Sequence, residues 1–415
     1  MTLYTAQRAI SMAVFVARSV GDVVLLRTGQ LSTEECAVRM SRRIEAAGGG
    51  AIKIAQLLST RPDVVGTTVS ASLANLQDAV TPMSTKEAQS VMATSGTQWP
   101  TSALHAVQDG PVASGSVACV YRWASEEHGD VALKIRRPQA LRAIPADVQV
   151  LHGALRAAQI IPAIRATPAL TMYTMLSDAM KAQLDLRAEL TMLQAMRDAV
   201  ENAPDIVMPR PIPQLSSESI LAMSFLEGLR PGSFAQADAS TAKAGITSLV
   251  RAIYKLLFEE GIAHVDLHQG NAYLLDSGGV ALLDVGFAYK MSAFARDRFT
   301  RFFAGMVQGD GQGCAEILLS TTQASRNASA GSQQAFNEQI HALVDESCAK
   351  TVESFSLPTF TRELFAIQRR NGYYADPEMT FPLVSLMALE GTVRQFSPEM
   401  DFQIEAAPYL MSSLL

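Results

Sequence analysis

The segment from Gly261 to Phe287 constrains this chain more than any other. It reads Gly-Ile-Ala-His264-Val265-Asp266-Leu-His268-Gln-Gly270-Asn271, then an apolar run to Leu275. The turn Asp276-Ser277-Gly278-Gly279 follows, then Val280 to Leu283, then Asp284-Val285-Gly286-Phe287. Two short apolar runs around a glycine-containing turn specify a β-hairpin. An aspartate and an asparagine five residues apart lie before the hairpin, and a further aspartate lies after it. Scattered loop carboxylates are the plain reading of such residues. The order and spacing fit a sharper one: two oxygen ligands from separate loops converging on a hard Mg²⁺ ion, with a third carboxylate beside a phosphate acceptor.

The segments upstream supply the other parts that phosphoryl transfer needs, namely a backbone cover for phosphates and a cation reaching their oxygens. Ala113-Ser114-Gly115-Ser116 is a run of small residues whose backbone N–H groups can approach anionic oxygens. A strand is expected over Val117–Trp123, a turn at 126–130, and a second strand over Val131–Ile135 carrying Lys134. A lysine ending an apolar strand is often a snorkelling surface residue; here it is the expected phosphate contact. Helices are expected at about 145–160 and 170–200, with a further strand over Ser219–Phe225. On the second helix Asp185 and Glu189 are four apart and share one face, and Glu189 is the expected partner of Lys134. A solvated charged face is the competing reading of that pair. The assignment is then ATP and Mg²⁺ as cofactors, Asn271 and Asp284 as metal ligands, and Asp266 as the base or acceptor-orienting group.

Composition narrows the partners. The formal net charge of −6 gives no reason to expect nucleic acid. Cys36, Cys119, Cys314 and Cys348 show no metal-ligand spacing and read as reduced thiols. No run of mainly apolar residues is long enough to span a bilayer. Ile10 to Val16, between Arg8 and Arg18, is the one candidate for membrane contact. It reads as an amphipathic helix docked on the protein itself, or alternatively on a membrane surface. The expected location is cytoplasmic, with peripheral contact at the inner membrane face as the second reading.

These residues resemble the UbiB/AarF family of atypical kinases, also called the ABC-one family, over most of the chain from about Gly48. Lys53-Ile-Ala-Gln56 followed by Ser59-Thr-Arg61-Pro-Asp63 resembles the family's K-x-G-Q helix and its S-x-R-x-D tail. Leu76-Gln77-Asp78 with Thr81-Pro82, Gln183-Leu184-Asp185 and Asp266-Leu-His-Gln-Gly270-Asn271 resemble its next three motifs. Glu390-Gly391-Thr-Val-Arg394 resembles its closing segment. The resemblance implies a K-x-G-Q helix folded across the active site, so Lys53 and Gln56 would face the nucleotide and Lys53 would pair with Asp185 or Glu189. It also implies nucleotide binding and ATPase-type activity, often in support of isoprenoid quinone biosynthesis at a membrane. The chain departs from the pattern at Ala55, at Gln183 and at Gly115 in the phosphate loop. C-terminal transmembrane helices, frequent in the family, do not occur through Leu415.

The fold class expected is α+β: a bilobal protein-kinase-like fold with a small antiparallel-sheet N-lobe at 108–228, a helical C-lobe at 229–415, and an N-terminal helical extension over 1–107. The function expected is an atypical kinase or ATPase serving a small-molecule or lipid acceptor. A nucleotide-regulated scaffold with little phosphotransfer is the alternative, and a protein kinase the third reading. Val265 stands where protein kinases place a phosphate-reading arginine, and a helix is expected over Ser292–Val307, directly after Asp284-Val-Gly.

Overall fold

A computed structural model describes residues 28–47, 81–159, 169–203, 205–265, 267, 270–324, 330–348 and 355–414, with Arg18, Gly21, Asp22 and Leu25 before them. Lys53 and Gln56 with their motif, Asp266, His268 and the stretch Ile10–Val16 lie outside the described residues. The chain divides into two compact units. One comprises Met1–Arg165, Ala169–Leu190 and Pro211–Phe225, and the other Ala166–Pro168, Thr191–Arg210 and Leu226–Leu415.

The first unit is built on an antiparallel sheet of β1 (Ala113–Ser114), β2 (Ala118–Ser125), β3 (Gly129–Arg136) and β4 (Ile220–Ser224), in that spatial order. Its helices are α1 (Thr33–Ala47), α2 (Thr85–Thr94), α3 (Thr101–Ala106), α4 (Ala140–Ala158), α5 (Ala169–Ala182) and the start of α6 (Leu186–Ala199). Alternation along β2 and β3 sends Cys119, Tyr121, Trp123, Val131, Leu133 and Ile135 into a core shared with Met83, Ala88 and Met92. Ser84 starts α2 with a full capping box, its hydroxyl accepting from Glu87 N–H while Glu87 accepts the Ser84 N–H. The single helix expected over 170–200 is two, because the chain turns at Gln183–Asp185. Asp185 therefore precedes α6 and accepts the Arg187 N–H at 3.0 Å, and it shares no helical face with Glu189. A short side-chain acceptor satisfies an open helix N–H better than the helix interior satisfies it, which is why the break falls there.

The second unit holds two small pairings within a helical body. β5 (Ile262–His264) pairs antiparallel with β8 (Ala288–Lys290), and β6 (Ala272–Leu274) forms the expected hairpin with β7 (Val280–Leu282). The short strand Ile206–Val207 adds to β7 in parallel. The helices are α7 (Ser233–Gln236), α8 (Ala239–Tyr254), α9 (Ala293–Gln308), α10 (Gly311–Thr321), α11 (Ala330–Cys348), α12 (Leu357–Asn371), α13 (Pro377–Phe396) and α14 (Ala407–Leu414). Asp238 caps α8 by accepting from Ser240 and Thr241 N–H. Where α8 meets the hairpin it presents Gly245, whose missing Cβ would come within 2.5 Å of Leu274 Cδ1 and 3.3 Å of Val280 Cγ2. That close approach fixes the hairpin on the helix. α8 runs into a π-turn at Lys255–Glu259, which buries Leu256, Leu257 and Phe258 before β5 begins. No described helix is long and apolar enough to cross a membrane.

Glu390, on α13, is buried and accepts from Leu357 N–H at 2.9 Å and Arg394 Nε at 2.8 Å. Burial raises its pKa above the usual carboxylate range, more than Arg394 lowers it. A carboxyl with a raised folded pKa keeps a proton that the unfolded chain releases. Its contribution is therefore greatest at low pH and declines as pH rises from the ordinary carboxylate range through the raised value. Glu390→Gln is expected to remove that component. Thermal midpoints of wild type and variant across acidic pH should diverge as pH rises, and a constant difference would refute the coupling.

Candidate functional site

In the first unit the small-residue run forms a tight hairpin tip. Ala113 pairs with Val120 and Ser114 with Cys119, and Gly115 N–H closes the turn on Ala118 O at 2.9 Å. The N–H groups of Ser116 and Val117 have no partner among the described residues. Open, adjacent backbone donors at a turn suit an anion. A Cβ at Gly115 would meet nothing closer than Ala118 O at 3.6 Å, so the chain's own packing does not demand glycine there.

The tip is held from below by Arg137, a residue that spacing alone did not single out. Its Nη2 donates to Ser114 Oγ at 2.6 Å and its Nε to Gly115 O at 2.8 Å, while its own N–H bonds Val117 O at 2.8 Å. Arg137 is buried, so these bonds are shielded from competing water. The available signal was a basic residue three positions past Lys134, on the same apolar strand exit.

Lys134 lies in the middle of β3, between Val120 of β2 and Leu221 of β4. Its Nζ stands 2.6 Å from Glu189 Oε1, with side-chain exposures of 13% and 7%. Glu189 belongs to the first turn of α6, whose start is anchored to the end of β3. Arg136 donates to Leu184 O and Glu218 O, and Leu186 N–H bonds Glu218 O at 3.0 Å. Asp185 is engaged elsewhere, in a two-point ion pair with Arg187 at 2.7–3.2 Å. That hydrogen-bonded guanidinium holds the Asp185 carboxyl below its usual range.

In the second unit the two pairings bring their loops together. Leu283 N–H donates to Asn271 O at 2.7 Å, and Val265 N–H to Phe287 O at 3.0 Å. The buried His264 ring places Nε2 3.4 Å from Leu283 O, so it packs between these loops. Asn271 is 7% exposed, whereas Asp284 is exposed. Asp284 is the one non-glycine described residue with a left-handed backbone, φ 42°. Its Oδ1 accepts the Gly286 N–H at 3.0 Å. Strained backbone of this kind persists where the surroundings enforce it and is concentrated at functional sites.

An amide oxygen and a carboxylate are hard donors of the kind Mg²⁺ takes. Among the described residues no three His, Cys, Asp or Glu gather around a common point. Asn271 and Asp284 are thus the described side chains that would hold such an ion, which would supply charge neutralisation for phosphate oxygens. Beyond Asp284 the chain is fixed at once. β8 follows, Tyr289 Oη donates to Glu378 Oε1 at 2.7 Å, and Ser292 both caps α9 and donates to Glu378 Oε2 at 2.6 Å.

Residues 75–318 match the family model described as the ABC1 atypical kinase-like domain. Proteins named "Probable protein kinase UbiB" align over nearly the whole chain. The one from Vibrio atlanticus is 23% identical, covering 91% of this chain and 70% of its own. That from Xylella fastidiosa strain M12 is 25% identical, covering 90% and 68%. The Rv3197–erythromycin complex from Mycobacterium tuberculosis aligns in structure with a TM-score of 0.49 at 16% identity, covering 94% of this chain and 98% of that one. With the family model matching more than half of its length, the chain belongs to the ABC1 atypical kinase-like family.

Proposed function

We propose that this protein binds Mg-ATP and turns over its terminal phosphoryl group, as a kinase or ATPase serving a small-molecule or lipid acceptor. The observation that carries the reading is the largely buried Lys134–Glu189 pair at 2.6 Å. An ammonium held by a carboxylate inside a sheet is fixed in position, as a phosphate contact must be. In this reading Ala113, Ser114, Gly115 and Ser116 cover the phosphates, and Lys134 contacts them. Asn271 and Asp284 bind Mg²⁺, and Asp266 orients the acceptor. Lys53 and Gln56 would close the acceptor side, and Asp185 borders the start of α6. The bound metal would supply charge neutralisation on the phosphate oxygens.

The short, pinned connection from Asp284 to α9 supports a site that is not switched by phosphorylation of a long loop. A role in an isoprenoid quinone pathway and peripheral membrane contact through the N-terminal segment are part of the same proposal. The deciding experiment is a thermal shift titrated with ATP, with and without Mg²⁺. A ligand that binds only the folded chain raises the midpoint; no Mg-dependent rise would overturn the proposal. Complementation by Asp266→Asn would favour the nucleotide-regulated scaffold instead, since a scaffold needs no phosphotransfer.

Arg137 gives a separate prediction. Arg137→Lys keeps the charge but loses the fork that spans Ser114 and Gly115. It is expected to weaken ATP binding by about tenfold, roughly 1.4 kcal/mol. The effect on Kd should exceed that on the first-order turnover rate. Equal nucleotide affinity in the two proteins would show that the clamp does not order the loop.

A further inference from the structure

Apart from these residues, the first unit contains a cavity of about 520 Å³. It is bounded by α2, the start of α4, the first turn of α6 and the loop before β4. One wall is Arg136, whose side chain is 7% exposed. All its side-chain hydrogen bonds among the described residues run through Nη1, to Leu184 O and, at 3.1 Å each, to Glu218 O and Oε1. A guanidinium carries five N–H donors. Nε and Nη2 of this buried arginine thus have no partner among the described residues, in a residue that lines a cavity.

Arg187 lines the same cavity from α6, and Ser90, Thr94 and Ser219 add hydroxyls. Val91 and Leu141 give it an apolar side, with Leu141 42% exposed. The lining also holds the Glu218 carboxylate, on Arg136 Nη1 at 3.1 Å, and Arg187 keeps its Nε and Nη2 on Asp185. The two guanidinium charges with the hydroxyls nevertheless outnumber the one carboxylate of the lining, and guanidinium with hydroxyl donors is the set that recognises phosphate. The volume exceeds what a bare phosphate needs and falls within the range of small-molecule sites. We propose that this cavity binds a small organic phosphate, its head on Arg136 and Arg187 and its carbon chain against Leu141 and Val91.

The same geometry couples the cavity to the Lys134–Glu189 pair. Arg136 is two residues beyond Lys134 on β3, on the same strand face. Arg187 is two residues before Glu189 in the first turn of α6. A phosphate bridging the two arginines draws the strand end towards the helix start, and so stabilises the arrangement in which Lys134 meets Glu189. Binding to the cavity stands on its own; the coupling rests on the nucleotide reading above.

The test is calorimetric titration of the full chain with n-hexyl phosphate and with inorganic phosphate. Flotation with phosphatidylcholine vesicles, with and without phosphatidic acid, accompanies it. Hexyl phosphate should bind more tightly than inorganic phosphate and should not be displaced by ATP. Arg187→Glu and Ser90→Glu, both at exposed positions, should each weaken it about tenfold or more, and only Arg187→Glu also breaks the ion pair with Asp185. Asp284→Asn should leave it unchanged. By reciprocity hexyl phosphate should tighten Mg-ATP binding in wild type and not in Arg187→Glu. Binding in solution without gain on acidic vesicles identifies a soluble metabolite as the ligand; vesicle binding lost in Arg187→Glu identifies a lipid headgroup. Unaltered hexyl phosphate binding in both charge variants overturns the site. So does displacement by ATP, and in that case the nucleotide reading stands. Binding sensitive to Arg187→Glu in a chain that takes no Mg-ATP upholds the cavity and overturns the nucleotide reading.

Discussion

Glu189→Ala is expected to destabilise the protein by about 3–5 kcal/mol, because it removes the carboxylate 2.6 Å from the Lys134 ammonium in a largely buried position. The side chains are only 13% and 7% exposed, so water cannot replace the lost carboxylate cheaply. Much of the cost comes from keeping the ammonium desolvated after that carboxylate is lost, which makes the double variant informative. Lys134→Met combined with Glu189→Leu removes both charges and keeps their volume. It should recover most of the stability, to within about 1–2 kcal/mol of wild type. Its response to Mg-ATP should stay absent. Urea denaturation of wild type, both single variants and the double variant measures the first effect, and the thermal shift measures the second. A loss below about 1 kcal/mol in Glu189→Ala would place the pair among exposed ion pairs and refute the argument. A double variant that still responds to Mg-ATP would remove Lys134 from the phosphate site.

Asp284 should separate stability from ligand binding. Its φ of 42° suits glycine and is tolerated by Asn and Asp, but it strains a β-branched side chain. Asp284→Asn should therefore fold with nearly unchanged stability, and Asp284→Gly should be no less stable than wild type. Asp284→Val should lose roughly 1–2 kcal/mol. All three should lose the Mg-dependent part of ATP stabilisation, since none presents a carboxylate to the ion. Turnover should fall by about two orders of magnitude or more, the scale seen when one electrostatic contact to a transition state is removed. If Asp284→Asn keeps its Mg-dependent shift, the metal assignment is wrong. If loss of binding simply follows loss of stability across the three variants, the residue is structural.

The hairpin at 272–282 was legible because its two apolar runs and its Gly-containing turn are local signals, as was the start of α9 at Ser292. The pairing of Lys134 with Glu189 was legible as an expectation only, because the residues are far apart in sequence and nothing local fixes their distance. Asp185 was misplaced on a helix face, since the helical pattern over 170–200 continues through a break that a single capping carboxylate decides. Arg137 was missed because a basic residue at a strand exit reads as solvated until the loop beneath which it packs is known.

The sequence by itself carried the motifs that resemble the family, the α+β class, and the candidacy of Lys134, Asn271 and Asp284 as the cationic and hard-oxygen groups. Tertiary structure alone decided the rest. It buried the lysine against Glu189, forced the left-handed backbone at Asp284, clamped the small-residue turn with Arg137, and left Arg136 facing a cavity. The physical reason is that periodicity and turn chemistry act over a few neighbouring residues. Burial, ion pairing and backbone strain arise only when distant segments close on one another.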